Sequence, residues 1–319
     1  MAMMPPPGMH GGDGARVARV LGIPVARILD LSQSLNPLAN DPTPVLARHL
    51  DAIGRYPDPE IATHALASSM GVEPNCLLLT NGGAEAITLV ASLIGGSVRE
   101  PEFSLHPRGN GPLWRSNPHN PLGLLAPTHD QAVVWDEAFY PLATGHWTRG
   151  DKHSVIVGSL TKLLACPGLR IGYVLADPSF IAACRERQPT WSLNGLACEA
   201  LPDLLDSLDL EATSEGVRQL REQLGRVLIR HGLTPRPSDA NWLLVDAPEL
   251  RNALVGEAIV VRDCANFGLE GVIRIAVPDR EGIDRLDHAL NNLRTRGSAF
   301  GHTTTRTHES MYERGEGND

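Results

Sequence analysis

A chain of 319 residues with 42% hydrophobic content can bury a substantial core, and its length exceeds one ordinary domain but suits a large domain joined to a small one. The net charge of −9, with 28 Lys and Arg scattered along the chain, excludes the basic surface that nucleic acids require. No apolar run approaches the ~18 residues that span a bilayer, and the start MAMMPPPGMHGG lacks the basic and apolar regions of a secretory signal, so a soluble, cytoplasmic protein is expected. Five cysteines, Cys76, Cys166, Cys184, Cys198 and Cys264, are an odd number at spacings that fit neither a zinc site nor a disulfide framework. They are expected to be reduced and mostly core, with no metal bound.

Residues 1–9 are Met- and Pro-rich and expected to be mobile. The HGGD of 10–13 then leads an amphipathic segment that stops at Gly22 and Pro24. Residues 28–32 alternate like a short strand, broken by Asn36-Pro37, and a helix is expected before the extended or turn segment RYPDP at 55–59. A helix is predicted over 60–69 and a short buried strand over 77–80. That strand meets Asn81-Gly82-Gly83-Ala84-Glu85 ahead of a helical run over 86–94. Such a turn exposes backbone N–H groups at the positive end of a helix and makes a phosphate site, although many α/β proteins have the turn without the ligand. Residues 101–116 carry few regular signals, and 117–123, NPHNPLG, form a tight turn. Strands are predicted over 133–135, ending at DEAF, and over 154–157, ending at SLTK. Several strands thus deliver polar residues at their C-terminal ends, where open parallel α/β sheets bind ligands.

The stretch 158–173, GSLTKLLACPGLRIGY, is the centre of the chain. A lysine after Ser-Leu-Thr at a strand end, with Arg170 eight residues on, resembles the pyridoxal phosphate (PLP) lysine segment of fold type I aminotransferases and their relatives. Lys162 can supply the amine that an aldehyde cofactor needs, and Ser159, Thr161 and Arg170 the donors for its phosphate. A strand end with a surface lysine is the bland alternative for this motif alone, and the order of the other pieces argues against it. Asp136 can hold a pyridine nitrogen protonated, or be a loop or cap residue. Asn120 can reach the ring 3′-oxygen and Tyr56 a phosphate, or both can be turn residues. Arg262 and Arg274 can grip an anionic substrate, or face solvent from a half-buried strand.

After Pro178 the pattern becomes helical, interrupted by QPTWSLN at 188–194. An amphipathic run over 215–231 precedes strands at 241–245, 259–262 and 273–277 and a helix over 281–293, which together suggest a small α+β domain. The expected division is an arm over 1–35, a large cofactor-binding domain over 36–199, a small domain over 200–296 and a disordered tail over 297–319.

The series HGGD, LDLSQSLNPL, RYPDP, NGGAEA, NPHNPLG, DEAF, SLTKLLACPGLRIGY, QPTWSLN, SDANWLL and VVRDCANF ahead of IRIAV resembles one branch of the PLP enzymes over about 10–293. That branch is the threonine-phosphate decarboxylases of cobalamin biosynthesis, in the class I/II aminotransferase superfamily and close to histidinol-phosphate aminotransferases. The HGG start, Pro167 before GLR, the WSLN stretch and RDCANF carry the likeness to the decarboxylases in particular. The resemblance implies an α/β fold type I enzyme with a mostly parallel large-domain sheet, and the cofactor PLP. It implies Lys162 as the Schiff-base lysine, Asp136 on the ring nitrogen and Asn120 on the 3′-oxygen. Ser159, Thr161, Arg170 and backbone near Gly83, Ala84 and Glu85 would hold the phosphate, joined by Tyr56 from the neighbouring subunit of a homodimer. Arg274 would grip the substrate carboxylate, and Arg262 and His10, with the adjoining Gly11, the substrate phosphate. Phe139 replaces a tyrosine donor to the 3′-oxygen. His106 stands where a tyrosine stacks on the ring, and Ser34 where the decarboxylase has a substrate-binding asparagine. The chain is also shorter than the pattern between His106 and Asn117, by a strand and a helix, and again between Gly123 and Asp136. The expected function is decarboxylation of threonine phosphate to 1-amino-2-propanol phosphate, with histidinol-phosphate transamination as the alternative. A trimmed PLP fold with a non-catalytic binding role is the third reading.

Overall fold

In the computed structural model, Pro6, Gly8 and residues 10–151 and 153–296 are described; the expectations for 297–319, and for the rest of 1–9, lie outside these residues. The arm consists of helix α1 (Gly14–Leu21), ended by Gly22 at φ 67°, and strand β1 (Leu29–Asp30). Then come α2 (Thr43–Arg48), α3 (Glu60–Met70), β2 (Leu77–Asn81) and α4 (Gly82–Ile94). The centre of the chain builds β3 (Trp114–Ser116), β4 (Val134–Asp136), α5 (Tyr140–Thr144), β5 (Val155–Ser159), α6 (Leu160–Leu163) and β6 (Ile171–Leu175).

Strands β2, β6, β5, β4 and β3 form one sheet in that order. β3, β4 and β5 pair in parallel, and β6 is antiparallel to both β5 and β2, so four of the five strands share a direction. The sheet is therefore mostly parallel and covered on both faces, which is why its central strands read as unbroken apolar runs. Leu77, Leu79, Trp135, Ile156 and Tyr173 pack on one face against α3 and the later helix α8, whereas Leu78, Val134, Val155, Val157 and Val174 pack on the other against α4 and α7. These helices are α7 (Pro178–Arg187) and α8 (Gly195–Asp206), the latter capped by Asn194, whose side chain accepts from Ala197 N. β3 lies in the stretch that offers few sequence signals. Three residues are too short for a period, and its register with β4, Trp114 opposite Val134, makes it a strand.

Helix α9 (Leu210–Arg230) crosses from one core to the other: Val217 packs with the first, and Leu220, Leu224, Val227 and Leu228 with the second. The second core is closed by β7 (Trp242–Asp246), α10 (Leu250–Val255), β8 (Ile259–Val260), β9 (Arg262–Asp263), β10 (Val272–Ala276) and α11 (Arg280–Thr295). The expected strand over 259–262 is split here: β8 pairs in parallel with β1 of the arm, and β9 joins the antiparallel sheet β7-β10-β9. A division at residue 199 would cut α8, whose Leu201, Leu204 and Leu205 sit in the first core, so we propose the domain division within α9 instead.

Two arginines organise the shortened stretches. Arg108 donates to the carbonyls of Glu102, Phe103, Ser104 and His106 at 2.8–3.2 Å and to the Glu100 carboxylate, gathering 100–106 into one turn. Arg149 donates to the carbonyls of Pro127, Thr128 and Asp130 at 2.8–3.1 Å and to Asp151, with its guanidinium 4.7 Å from the Trp135 ring centroid. Loop backbone without a ladder must find donors elsewhere, and one planar guanidinium supplies several. Trp135 thereby stays fully buried at the outer part of the sheet with a loop and a stacked cation over it.

Candidate active site

At the C-terminal ends of β3, β4 and β5, facing the start of α4 and the strands of the second sheet, lies a cavity of ≈ 230 Å³. Its floor is built by close backbone approach. Gly172 of β6 sits opposite Thr80 and Ser159, and a Cβ there would fall 2.4 Å from the Gly82 carbonyl carbon and 2.5 Å from Gly83 N. Gly82 itself is at φ 74°, and a Cβ on it would lie 2.3 Å from the Arg170 guanidinium. Bare backbone at both positions lets the start of α4, β6 and Arg170 converge. Gly83 and Ala84 then line the cavity with the N-terminal turn of a 13-residue helix, a setting for an anion.

Ser159 ends β5, and Thr161 and Lys162 follow in the single turn of α6. The Thr161 hydroxyl is buried, lines the cavity and has no partner among the described residues. Burial, first, and then the nearby Arg274, Arg170 and Arg262 pull the Lys162 ammonium down to about 8, with Asp136 opposing them. A site that brings deprotonation of the amine close to physiological pH suits attack on an aldehyde.

Asp136 ends β4 and turns its carboxylate into the cavity, where Oδ1 accepts from Ala138 N at 3.0 Å and Oδ2 is 2.9 Å from His106 Nε2. Asn120 Oδ1 accepts from Arg274 Nη1 at 3.1 Å, which leaves its Nδ2 as the donor for a ligand. Its turn is docked by Trp242, whose indole N–H donates to the Pro121 carbonyl at 2.9 Å. Arg262 and Arg274 are directly opposite one another on β9 and β10, hence on one face, and both are buried. Like charges so placed repel. Among the lining residues Lys162, Arg170, Arg262 and Arg274 face a single carboxylate, Asp136, an arrangement that anions would relieve.

The cavity brings together His10, Gly83, Ala84, Asn120, Asp136, Ser159, Thr161, Lys162, Arg170, Arg262 and Arg274 of the residues singled out in the sequence. Five others stand off it. Glu85 caps α4, its carboxylate accepting from Asn81 N at 2.6 Å. Gly11 packs on the arm, where a Cβ would meet the Ser32 carbonyl at 2.4 Å. Ser34 is buried, its hydroxyl without a hydrogen-bond partner among the described residues. Tyr56 does not reach its own chain's cavity; it is 77% exposed and stacks on Trp191 at 4.4 Å. His106 corrects an expectation: it lies behind Asp136, fully enclosed and bonded to that carboxylate, not stacked over the cavity. Phe103 lines the cavity instead, edge-on to His106 at 5.6 Å. Sequence reasoning passed over Phe103 and the buried Glu102 beside it, although an aromatic three residues before the histidine in EFSLH is a signal that could have found the first.

The orphan Thr161 hydroxyl, the glycine cradle under Arg170, the depressed lysine and the inward carboxylate fit PLP group by group: phosphate, aldehyde and ring nitrogen. Known proteins give the class. The profile of aminotransferase class I and II matches residues 107–290, and the chain belongs to this family. It is a PLP-dependent enzyme of fold type I. The threonine-phosphate decarboxylase of Salmonella typhimurium is 30% identical over 352 residues, covering 90% of this chain and 96% of the relative. That span exceeds the 319 residues of this chain, so the alignment closes only with stretches that this chain lacks. Histidinol-phosphate aminotransferase 1 of Dechloromonas aromatica is 26% identical, over 82% of this chain and 88% of the relative. Among solved structures, the histidinol-phosphate aminotransferase of Sinorhizobium meliloti in complex with pyridoxal-5′-phosphate superposes with a TM-score of 0.76 at 18% identity, covering 93% and 96% of the two chains.

Proposed function

We propose that the enzyme decarboxylates threonine phosphate to 1-amino-2-propanol phosphate, in the cytoplasm, as a step of cobalamin biosynthesis. The observation that carries this reading is the cross-strand pair Arg262–Arg274 in a cavity whose lining holds one carboxylate. A substrate with two anionic groups, besides the cofactor phosphate, matches that surplus of cations. The 30% identity to a threonine-phosphate decarboxylase and the CPGLR sequence around Pro167 favour this substrate. The five cysteines are free, in keeping with a reducing compartment.

Bound PLP supplies an aldehyde that couples to amino groups and a protonated ring that withdraws electrons from the carbon attached to that nitrogen. In this chain the α4 N-terminus, Ser159, Thr161 and Arg170 would hold the phosphate end. Asp136 would accept from the ring nitrogen, and Asn120 Nδ2 would donate to the ring oxygen, its Oδ1 being held by Arg274. Arg274 holds the substrate carboxylate beside Asn120, and Arg262 with His10 holds the phosphate. Lys162 would offer its neutral amine to the cofactor, would take up a proton from the substrate ammonium when that amine replaces it, and as an ammonium could then donate that proton to the substrate carbon that has lost CO2. The surface around Tyr56 and Trp191, with Ile53 and Ile61 each 71% exposed, is assigned to a homodimer in which Tyr56 serves the partner's phosphate.

A histidinol-phosphate aminotransferase is the second reading, supported by relatives of that name at 26% identity. Incubation with PLP and threonine phosphate, and separately with histidinol phosphate and 2-oxoglutarate, decides between them. CO2 release without glutamate formation is expected; glutamate from histidinol phosphate and no CO2 from threonine phosphate would refute the decarboxylase.

A further inference from the structure

The wall behind Asp136 holds an acid that the reaction, as described, does not use. Glu102 is 2% exposed, and three donors converge on its carboxylate: Phe103 N at 2.9 Å, Ser116 N at 2.9 Å and Ser116 Oγ at 2.6 Å. Ser116 ends β3 and is paired in register with Asp136, so the acid is anchored to the strand beside the one that carries the site carboxylate. Between the two acids lies His106. Its Nε2 is 2.9 Å from Asp136 Oδ2, and its Nδ1, which has no hydrogen-bond partner among the described residues, is 3.9 Å from Glu102 Oε1. At that separation the second contact is electrostatic, not a hydrogen bond. A carboxylate only accepts, so Nε2 must carry the proton it shares with Asp136.

We propose that Glu102 is a positioning residue: a carboxylate on each side of His106 holds a proton on both ring nitrogens, Nδ1–H toward Glu102 and Nε2–H donated to Asp136, and so fixes the carboxylate that meets the cofactor ring. Rings of Phe103 and Trp114, centred 5.6 Å from the imidazole, close the pair off from water, where charge interactions are strongest. The other groups that face it do not replace Glu102. Burial pushes the neighbouring His119 down, which disfavours a charge there; Arg115 on β3 is engaged with Asp130, and Arg108 meets His106 at its backbone carbonyl alone. The segment that would otherwise place an aromatic ring on the cofactor thus places a buried acid and base behind it, and Phe103 lines the cavity in its stead. This inference rests on the reading of Asp136 as the ring-nitrogen partner.

The test compares PLP affinity, the visible spectrum of the bound cofactor and the 15N shift of His106 Nε2 in the full-length wild type, Glu102→Gln, His106→Phe, His106→Gln and Asp136→Asn. His106→Phe is expected to weaken PLP binding about 10-fold, the loss of one hydrogen bond to a charged group. His106→Gln, whose amide N–H can reach the place of Nε2, should recover most of it. Glu102→Gln keeps the size of the side chain and should alter the Nε2 shift and the spectrum together. Wild-type Nε2 shift and spectrum in Glu102→Gln, or equal loss in His106→Phe and His106→Gln, would overturn the proposal. If Asp136→Asn binds PLP as the wild type does, the reading of Asp136 fails, whereas the Nε2 shift of Glu102→Gln still judges the Glu102–His106 pair alone. Should His106→Phe fail to fold, that shift in Glu102→Gln decides by itself whether the pair acts as proposed.

Discussion

The two ends of the cavity are built by different means. At the phosphate and amine end, Gly82, Gly83, Ser159, Thr161, Lys162 and Arg170 are placed by strand ends, short helices and glycine contacts, all within two compact stretches of chain. At the ring-edge wall, residues 100–136 are mostly loop, and their order comes from Arg108 and Arg149 donating to loop carbonyls and from Glu102 and His106 tying the loop to Ser116 and Asp136 at the ends of β3 and β4. The first end can lose a side chain and keep its shape. The second has only the two three-residue strands β3 and β4 to fall back on, so between them side chains set the backbone.

Four substitutions sharpen this contrast. The largest effect is expected for Lys162→Ala, which should abolish the visible absorbance of bound PLP and lower turnover by at least ~10³-fold while leaving the thermal midpoint close to wild type. In the wild type, capture of PLP should rise with pH to a midpoint near 8, as the amine loses its proton, and level off above it. Next comes Arg274→Gln. It removes one of two facing guanidinium groups, so kcat/KM for threonine phosphate should fall by ~10²-fold, yet the ligand-free protein should melt no lower, because a buried repulsion is relieved. Arg149→Ala should do the reverse, lowering the melting temperature by several degrees with a modest effect on turnover. Lysine should not rescue it, since an ammonium cannot serve carbonyls spread over three residues and a stacked ring at once.

The smallest effect concerns Glu137, fully buried beside Asp136, whose carboxyl is pushed up to about 7 by burial, partly opposed by Thr148 and the Arg149 N–H. A carboxyl raised in the folded state binds its proton more tightly there than when unfolded. The wild type should therefore lose stability as pH climbs from the ordinary carboxyl range to about 7. Glu137→Gln should lack this slope, matching wild type near pH 4.5 and exceeding it at pH 8 in calorimetric melts; parallel curves would contradict the assignment.

The same contrast explains what could be read from the sequence. Lys162, Asn120, Asp136, Arg170 and Arg274 were legible because each sits in a short motif that also fixes its local backbone, and the cavity gathers all five. Long apolar runs likewise announced β2 and β5. β3 and the role of His106 were not legible. A three-residue strand has no period, and whether an imidazole stacks on a ring or turns to a carboxylate depends on Glu102 and Ser116, ten or more residues apart. Arg108 and Arg149 were equally silent, because a bond to a carbonyl leaves no trace in the residue type that supplies it.

The most direct test of Lys162 as the cofactor's amine exploits a feature of composition: the chain contains only two lysines, Lys152 and Lys162. Borohydride reduction of the PLP-loaded protein, followed by peptide mass spectrometry, marks the amine that carries the cofactor. The pyridoxyl mass is expected on the peptide that contains Lys162, at one per chain. A mark on Lys152 or the N-terminus with Lys162 unmodified, or no mark at all, would contradict that role.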